Sequence, residues 1–247
     1  MSALIQIARV SAMGNIIDAA SAILSRSERR VEVAAQNIAN STTPGYKRHI
    51  SFQKLISEAR TGDALPESEG LSVDLAPGKL NITGAPYDLA IAGDGFFVVD
   101  GAEGPLLTRR GQFQRTADGR LVDGQGRALQ VEGGGDLVLK TTEFKVLEDG
   151  AVIENGVAST KLSIVNIDNP KSVHFVAGDV YSASLSAMKQ IEKPSVHQGM
   201  LEASNISMGA EMISIMGALR RAETGQRLVG VYDDLMGRVI STIGQAQ

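Results

Sequence analysis

Cysteine is absent from the 247 residues, so no disulfide framework and no thiol chemistry is available, and cysteine usage says nothing about the redox compartment. Tryptophan is absent too, and aromatic residues make up only 4% of the chain. Charge of one sign never accumulates. The net charge is −4 with signs mixed along the chain, so there is no basic stripe for nucleic acid. No continuous apolar run is long enough to cross a bilayer. The opening residues, MSALIQIARVSAMG, lack the basic and continuous apolar regions of a cleaved signal peptide.

Proline is missing from both ends. All seven prolines lie between Pro44 and Pro194. Proline breaks helices because it lacks an N–H and clashes with the preceding turn, so its absence permits long helices at the two termini. What is present fits a globular chain: 43% hydrophobic residues, enough for a core, and 27 glycines, which suggest many turns. The length allows one large domain or two small ones.

In the N-terminal segment, Val10, Met13, Ile17, Ala20, Leu24, Ser27, Val31, Ala34 and Ile38 recur alternately three and four apart. This is a heptad seam whose only polar member is Ser27. Arg26, Glu28, Arg29, Arg30 and Glu32 lie off it. Asn40 is expected to end the helix in the left-handed conformation. The C-terminal segment holds a second frame: Met208, Met212, Ile215, Leu219, Ala222, Gln226, Val229, Asp233, Met236, Ile240 and Ile243, interrupted by Gln226 and Asp233. Gly209, Gly217, Gly225, Gly230 and Gly237 each lower helix propensity by roughly 1 kcal/mol relative to alanine. Each helix would be about 40 residues, or roughly 60 Å, long.

The middle reads as β structure. The segment DLAIAGDGFFVV (88–99) alternates, turns at Gly93-Asp94-Gly95 and continues as an apolar strand. Turn dipeptides recur at Asp118-Gly119, Asp123-Gly124, Asp149-Gly150 and Asn155-Gly156, and LSIVNI (162–167) is a further strand. An antiparallel sandwich or partly open barrel is expected. Residues 57–70 read as an exposed linker. The expected fold is therefore α+β: long N- and C-terminal helices packed as an antiparallel coiled-coil pair, with a central, mostly antiparallel β domain. The expected segments are an N-terminal helix (1–40), a junction and linker (41–70), the β domain (71–195) and a C-terminal helix (196–247). A lone pair of helices this long leaves much of its surface wet, so helices of other chains are expected to cover it.

Catalytic and cofactor patterns are missing. His49, His174 and His197 are far apart in sequence and fit no metal-ligand spacing. There is no phosphate-binding GxxxxGK[ST], no GxGxxG and no GxSxG. Gly93-Asp94-Gly95 reads as a hairpin turn. Asp88 and Asp94 read as turn and cap residues rather than a catalytic carboxylate pair. No cofactor, metal or catalytic residue is expected.

The stretch NIANSTTPGYKR (37–48) resembles the N-terminal signature of the flagellar rod and hook family, approximately ANNxANxxTxGYKR, through Asn37, Ala39, Asn40, Thr43, Gly45, Tyr46, Lys47 and Arg48. YDLAIAGDGFFVV is similar to the family's LDLAIxGDGFFxV, with Gly93, Asp94 and Gly95 in place. LTRRGQFQRTADGRLVDGQGRAL (107–129) follows its YTRxGxFxxDxxGxLVxxxGxxL through Thr108, Arg109, Gly111 and Phe113. HQGMLEASN (197–205) resembles QGxLExSN at Gln198, Gly199, Leu201, Glu202, Ser204 and Asn205. Leu107 stands where the family usually has an aromatic. Leu219, Arg220, Arg221, Ala222 and Glu223 stand where it has roughly Gln-Arg-x-Tyr-Glu. The blocks keep the family's order over nearly the whole chain.

The resemblance implies a structural subunit of the bacterial flagellar rod. Such a subunit leaves the cell through the flagellar export apparatus without a cleaved signal and assembles in the periplasm, stacked helically with copies of itself and other rod proteins. Its terminal helices form the inner layer of a tube that transmits torque from motor to hook. The seam residues Val10, Met13, Ile17, Ala20, Leu24, Val31, Ala34, Ile38, Met208, Met212, Ile215, Leu219, Val229, Met236 and Ile240 are then the expected subunit interface. The chain length suits a rod protein of the proximal type, with the distal type as the alternative. A coiled-coil stalk presenting a β binding domain, and a hydrolase with an unrecognised site, are the competing readings. Pro44-Gly45 is expected to centre a type II turn. Tyr46, Lys47 and Arg48 are expected either to touch a neighbouring subunit or to cover the β domain.

Overall fold

A computed structural model describes residues 2–53, 69–167 and 173–244. The expected linker 57–70 lies outside the described residues except for its last two positions, which open the strand Glu69–Val73. The chain divides into two compact units, one of Met1–Ile38 with Ser207–Gln247 and one of Ala39–Ile206.

The first unit holds two helices, α1 (Ser2–Ala39) and α2 (Met208–Gly244). In α1 the inward positions are Ile17, Ala20, Leu24, Ser27, Val31, Ala34 and Ile38, half-buried or buried at the expected spacing. Val10 and Met13 lie on α1, but their side chains are outside the described residues. The helix does not end through a left-handed Asn40, because Asn155 is the sole described non-glycine with a positive φ. It ends in a turn instead. Thr43 N–H donates to the Asn40 carbonyl at 3.0 Å, and Pro44 cannot continue the ladder. The next turn is the expected one: Tyr46 N–H donates to the Thr43 carbonyl at 3.3 Å across Pro44 and Gly45, and Gly45 has φ +71°.

The expected coiled-coil pair is not what α1 and α2 form. A coiled coil needs large side chains at alternating three- and four-residue intervals, inserted as knobs into a facing helix. Met208, Met212 and Leu219, three of the expected knobs, are 46%, 51% and 51% exposed. Flanked by half-buried Ser214 and Gly217, the covered positions of α2 include Glu211, Ile215, Ala218, Ala222, Gly225, Val229, Tyr232 and Met236. They keep the heptad spacing but move every second position back by one residue, from Met212, Leu219, Gln226 and Asp233 to Glu211, Ala218, Gly225 and Tyr232. The middle of the inward stripe is therefore built of small residues, Ala218, Ala222 and Gly225. A Cβ on Gly225 would stand 3.2 Å from Leu24 Cγ, 3.3 Å from Ile23 Cγ2 and 3.4 Å from the Ala20 carbonyl. Gly225 thus lets α1 approach, where sequence reading treats it only as a weak point. The side chains of Ile240 and Ile243 are outside the described residues.

In the second unit every strand pairing is antiparallel. The largest sheet has six strands, in spatial order His174–Ala177, Val180–Ser182, Leu106–Thr108, Phe96–Val99, Ile164–Ile167 and Met188–Gln190. Side chains alternate between the faces of a strand, so Phe96-Phe97-Val98-Val99 must bury both faces to hide all four. It does. Phe97 and Val99 join a cluster with Leu89, Phe113, Leu129 and Ile164, while Phe96 and Val98 join another with Leu107, Val165, Ile167 and Tyr181. The sheet is a layer between two cores rather than one wall of a simple sandwich.

Asn155-Gly156 joins the strands Ala151–Glu154 and Val157–Lys161 with φ +52° and +79°, the two left-handed positions of a tight hairpin. Residues 196–202 are not helical. Val196–Gln198 pairs with Leu89–Ile91, and Met200–Glu202 pairs with Leu80–Ile82. No helix among the described residues is long and apolar enough to cross a membrane.

Candidate functional site

The second unit is entered by the chain at Ala39 and left at Ile206, and the two passages meet at one carboxylate. The Pro44-Gly45 turn lays the backbone of Gly45 against the start of the Arg109-Arg110 segment. A Cβ at Gly45 would fall 2.4 Å from both the carbonyl carbon and the oxygen of Arg109. The turn also aims Lys47 inward. Lys47 Nζ donates to Glu202 Oε1 at 2.6 Å and to the Ala76 carbonyl at 2.8 Å. Arg109 Nη1 donates to the other carboxylate oxygen, Oε2, at 3.1 Å, and Gly78 N–H donates to Oε1 at 2.7 Å. Arg109 is held from behind by the carbonyls of Gly93 (2.6 Å) and Ile91 (3.3 Å), and its guanidinium lies 5.3 Å from the centre of the Phe96 ring. Lys47, Arg109 and Glu202 are each at most 2% exposed.

Backbone and amide bonds widen this knot. Gly45 N–H donates to the Glu202 carbonyl at 2.7 Å, and Arg48 N–H donates to Asn205 Oδ1 at 2.8 Å. Asn205 Nδ2 donates to the carbonyls of Asp74 (2.9 Å) and Ala76 (3.0 Å). Three chain segments, 45–48, 74–78 and 202–205, are thereby tied together. Burial lowers the Lys47 ammonium from its ordinary value, with Glu202 opposing the shift; burial likewise lowers Arg109, with Glu202 and Asp94 opposing. The two arginines of Thr108-Arg109-Arg110 part company here. Arg110 faces Asp179 at 3.7 Å instead, as does Arg127, and burial of Asp179 raises its carboxyl above the usual range.

An aromatic cluster flanks the knot. The Tyr46 hydroxyl and His49 Nδ1 are 3.3 Å apart, and the His49 ring meets Phe175 edge-on at 4.6 Å. Phe175 and Phe96 both pack on Tyr181. Burial pushes Tyr46 up to about 12, raises Tyr181 and lowers His49 below its ordinary 6.5. Because the folded value of His49 lies below the unfolded one, the unfolded chain binds the extra proton first. The stability that neutral His49 contributes is complete above about pH 6.5 and is lost as pH falls toward the folded value. The urea midpoint should therefore drop on acidification from pH 7.5 to 5.5. His49→Phe should flatten the part of the slope just below pH 6.5; an unchanged slope would remove His49 from the account.

The residues singled out in the sequence fall in two groups. Gly45, Lys47, Arg48, Gly93, Glu202 and Asn205 converge on the knot. Tyr46 and Lys47 are buried within their own unit. Gly95 and Leu201 are buried, Gly199 and Ser204 half-buried, and Asp94 exposed. Thr43 and Asn40 form the helix-ending turn, while Asn37 is buried and Ala39 exposed at the end of α1. Arg109 lies in the motif Thr108-Arg109-Arg110-Gly111, whose local sequence carries no sign of its distant partner. Ala76 and Gly78 contribute main-chain atoms only and leave no side-chain signal, while the Asp74 carboxylate accepts from the Ala76 N–H at 3.1 Å. Among the described residues no group of three or more His, Cys, Asp or Glu is placed to hold a metal ion.

Three family models match in chain order: the flagella basal body rod protein model over residues 17–47, the flagellar hook protein FlgE/F/G D1 domain over 90–164, and the flagellar basal body rod FlgEFG protein C-terminal model over 197–242. Lys47 falls in the first, Arg109 in the second and Glu202 in the third, so the knot joins the three matched segments. The chain belongs to the flagellar basal-body rod and hook family.

Within it, the likeness runs to the FlgF type first and the FlgG type next. The chain is 31% identical to the flagellar basal-body rod protein FlgF of Rhizobium meliloti over 225 residues, covering 88% of this chain and 92% of that one. It is 28% identical to FlgF of Escherichia coli over 249 residues, covering 92% and 97%. Flagellar basal-body rod protein FlgG of Bacillus subtilis is 24% identical over 246 residues, covering 87% and 93%. The chain is a structural subunit of the flagellar rod, located in the basal body and assembled there with other rod proteins.

Proposed function

We propose that the subunit polymerises through its terminal helices, residues 1–40 and the helical part of 196–247, into an axial, helical stack that carries torque from motor to hook. The exposed apolar side chains of α2 support this reading most directly. Met208, Met212, Ile213, Met216, Leu219, Leu228, Val231 and Leu235 are between 36% and 68% exposed on this one helix. Large apolar side chains left exposed in this number along one helix mark a partner-binding surface. In the stack it is covered by helices of neighbouring copies and of other rod proteins, joined by open, non-closing contacts. The β unit then lies outside the helical layer, in the periplasm, reached through the flagellar export apparatus. The role is mechanical and not enzymatic.

Met212→Glu combined with Leu219→Glu tests the proposal, because both side chains are half or more exposed and neither supports the fold of the single chain. Cells carrying the double variant should be non-motile, and their isolated basal bodies should lack complete rods by electron microscopy. Normal swimming would overturn it. A closed dimer or trimer of the wild-type chain in sedimentation would favour a stalk instead.

A further inference from the structure

The Lys47–Glu202–Arg109 knot sits where any pull on the helices must enter the β unit. Load on α1 reaches that unit through residues 39–48, and load on α2 leaves it through 202–206. A chain joined to its core only by its last hairpin would peel one hydrogen bond at a time. Here both exits are fastened to each other and to the core at once. Gly45 and Lys47 hold Glu202, and Arg48 holds Asn205. Asn205 holds the Asp74 and Ala76 carbonyls, and Glu202 reaches through Arg109 to the Ile91 and Gly93 carbonyls beside the six-stranded sheet. These bonds are loaded together. The ion pairs among them exclude water, and charge-assisted bonds are the strong kind.

We infer that this knot is a mechanical clasp: it locks the two chain exits side by side so that force applied through the terminal helices is delivered to the β core as one block. Glu202 is the positioning residue at its centre and Asn205 a second, uncharged fastening. The clasp deepens the torque-carrying role proposed above and rests on it, but its mechanics are testable on the isolated full chain.

The chain has no cysteine of its own, so paired cysteine handles can be placed at will. Thr42→Cys with Ser207→Cys pulls the two exits apart. Glu103→Cys with Asn155→Cys pulls on exposed loops elsewhere in the same unit. In optical-trap unfolding, Glu202→Gln should lower the rupture force in the first geometry by roughly half, since neutral bonds replace charge-assisted ones, and much less in the second. Asn205→Ala, which leaves no buried charge unpaired, should shift the ratio of the two forces the same way and serves if Glu202→Gln does not fold. An unchanged ratio for Asn205→Ala overturns the clasp.

In cells, Asn205→Ala should leave the subunit in isolated basal bodies yet impair swimming in viscous medium; full swimming under load with the variant incorporated overturns the load-bearing role. Absence of the wild-type subunit from basal bodies would instead defeat the rod reading, with the force ratio still deciding the clasp.

Discussion

Replacing Glu202 with glutamine should destabilise the protein by roughly 3–5 kcal/mol, the cost of leaving a buried charge without its partner. The asymmetry of the knot sharpens this. Two cations, Lys47 and Arg109, share one carboxylate, and all three are at most 2% exposed. Taking away the carboxylate strands both cations. Taking away Lys47 leaves Arg109 and Glu202 as a matched pair, with Gly78 N–H still on the carboxylate. Lys47→Met should therefore cost much less than Glu202→Gln, although each substitution removes the same ion pair. Equal losses in chemical denaturation would show that the contact, and not the charge balance, carries the energy.

The pH dependence of the variant supplies a second check. Burial already lowers the Lys47 ammonium from its ordinary value, and the opposing carboxylate is gone in Glu202→Gln. The unfolded chain then holds the Lys47 proton to higher pH than the folded one does. Stability must rise with pH through the folded value and level off near the ordinary value of about 10.4. The deficit of Glu202→Gln relative to wild type should shrink between pH 7 and 10. A deficit that stays constant or widens would mean that Lys47 keeps its charge by another route.

How much of this was legible in the chain depends on distance along it. The seam of α1 is readable from Ile17 to Ile38 because its members lie three and four residues apart with Ser27 the one polar member. The seam of α2 was misread by one residue at every second position. Met212 and Leu219 outweigh Ala218 and Gly225 on any scale of apolarity, yet it is the small residues that let a helix come close. The strand Phe96–Val99 was legible as an apolar run, but which faces it buries depended on strands from Ile164–Ile167 and Leu106–Thr108.

The knot was legible least of all. Glu202 lies in the motif Leu201-Glu202-Ala203-Ser204-Asn205, yet its partners Lys47 and Arg109 are 155 and 93 positions away, and no local periodicity links them. The family blocks marked which residues matter. Only the fold shows that three of those blocks exist to meet. The glycine of GYKR is the same case, since its sequence neighbours announce a turn and say nothing of the backbone it must admit.

Gly45→Ala should be among the most damaging single-methyl changes in the chain, at roughly 2–5 kcal/mol. About 1–2 of this comes from holding alanine in the left-handed region and the rest from overpacking. The two costs can be separated. Gly84 has nearly the same φ, +72° against +71° for Gly45, but a Cβ there meets nothing within 4 Å. Gly84→Ala should therefore show the conformational cost alone. At Gly45 the added carbon falls 2.4 Å from Arg109 carbonyl atoms and 2.5 Å from Arg110 N. These are main-chain atoms, fixed because the Arg109 side chain is tied to Glu202, Ile91 and Gly93, so the strand cannot step aside without opening the knot. The excess of Gly45→Ala over Gly84→Ala, measured as the difference in urea midpoints, reports that close approach. It should also fall when Gly45→Ala is combined with Glu202→Gln, because an already opened knot has less left to lose; strictly additive effects would separate the turn from the ion pairs and place the strain elsewhere.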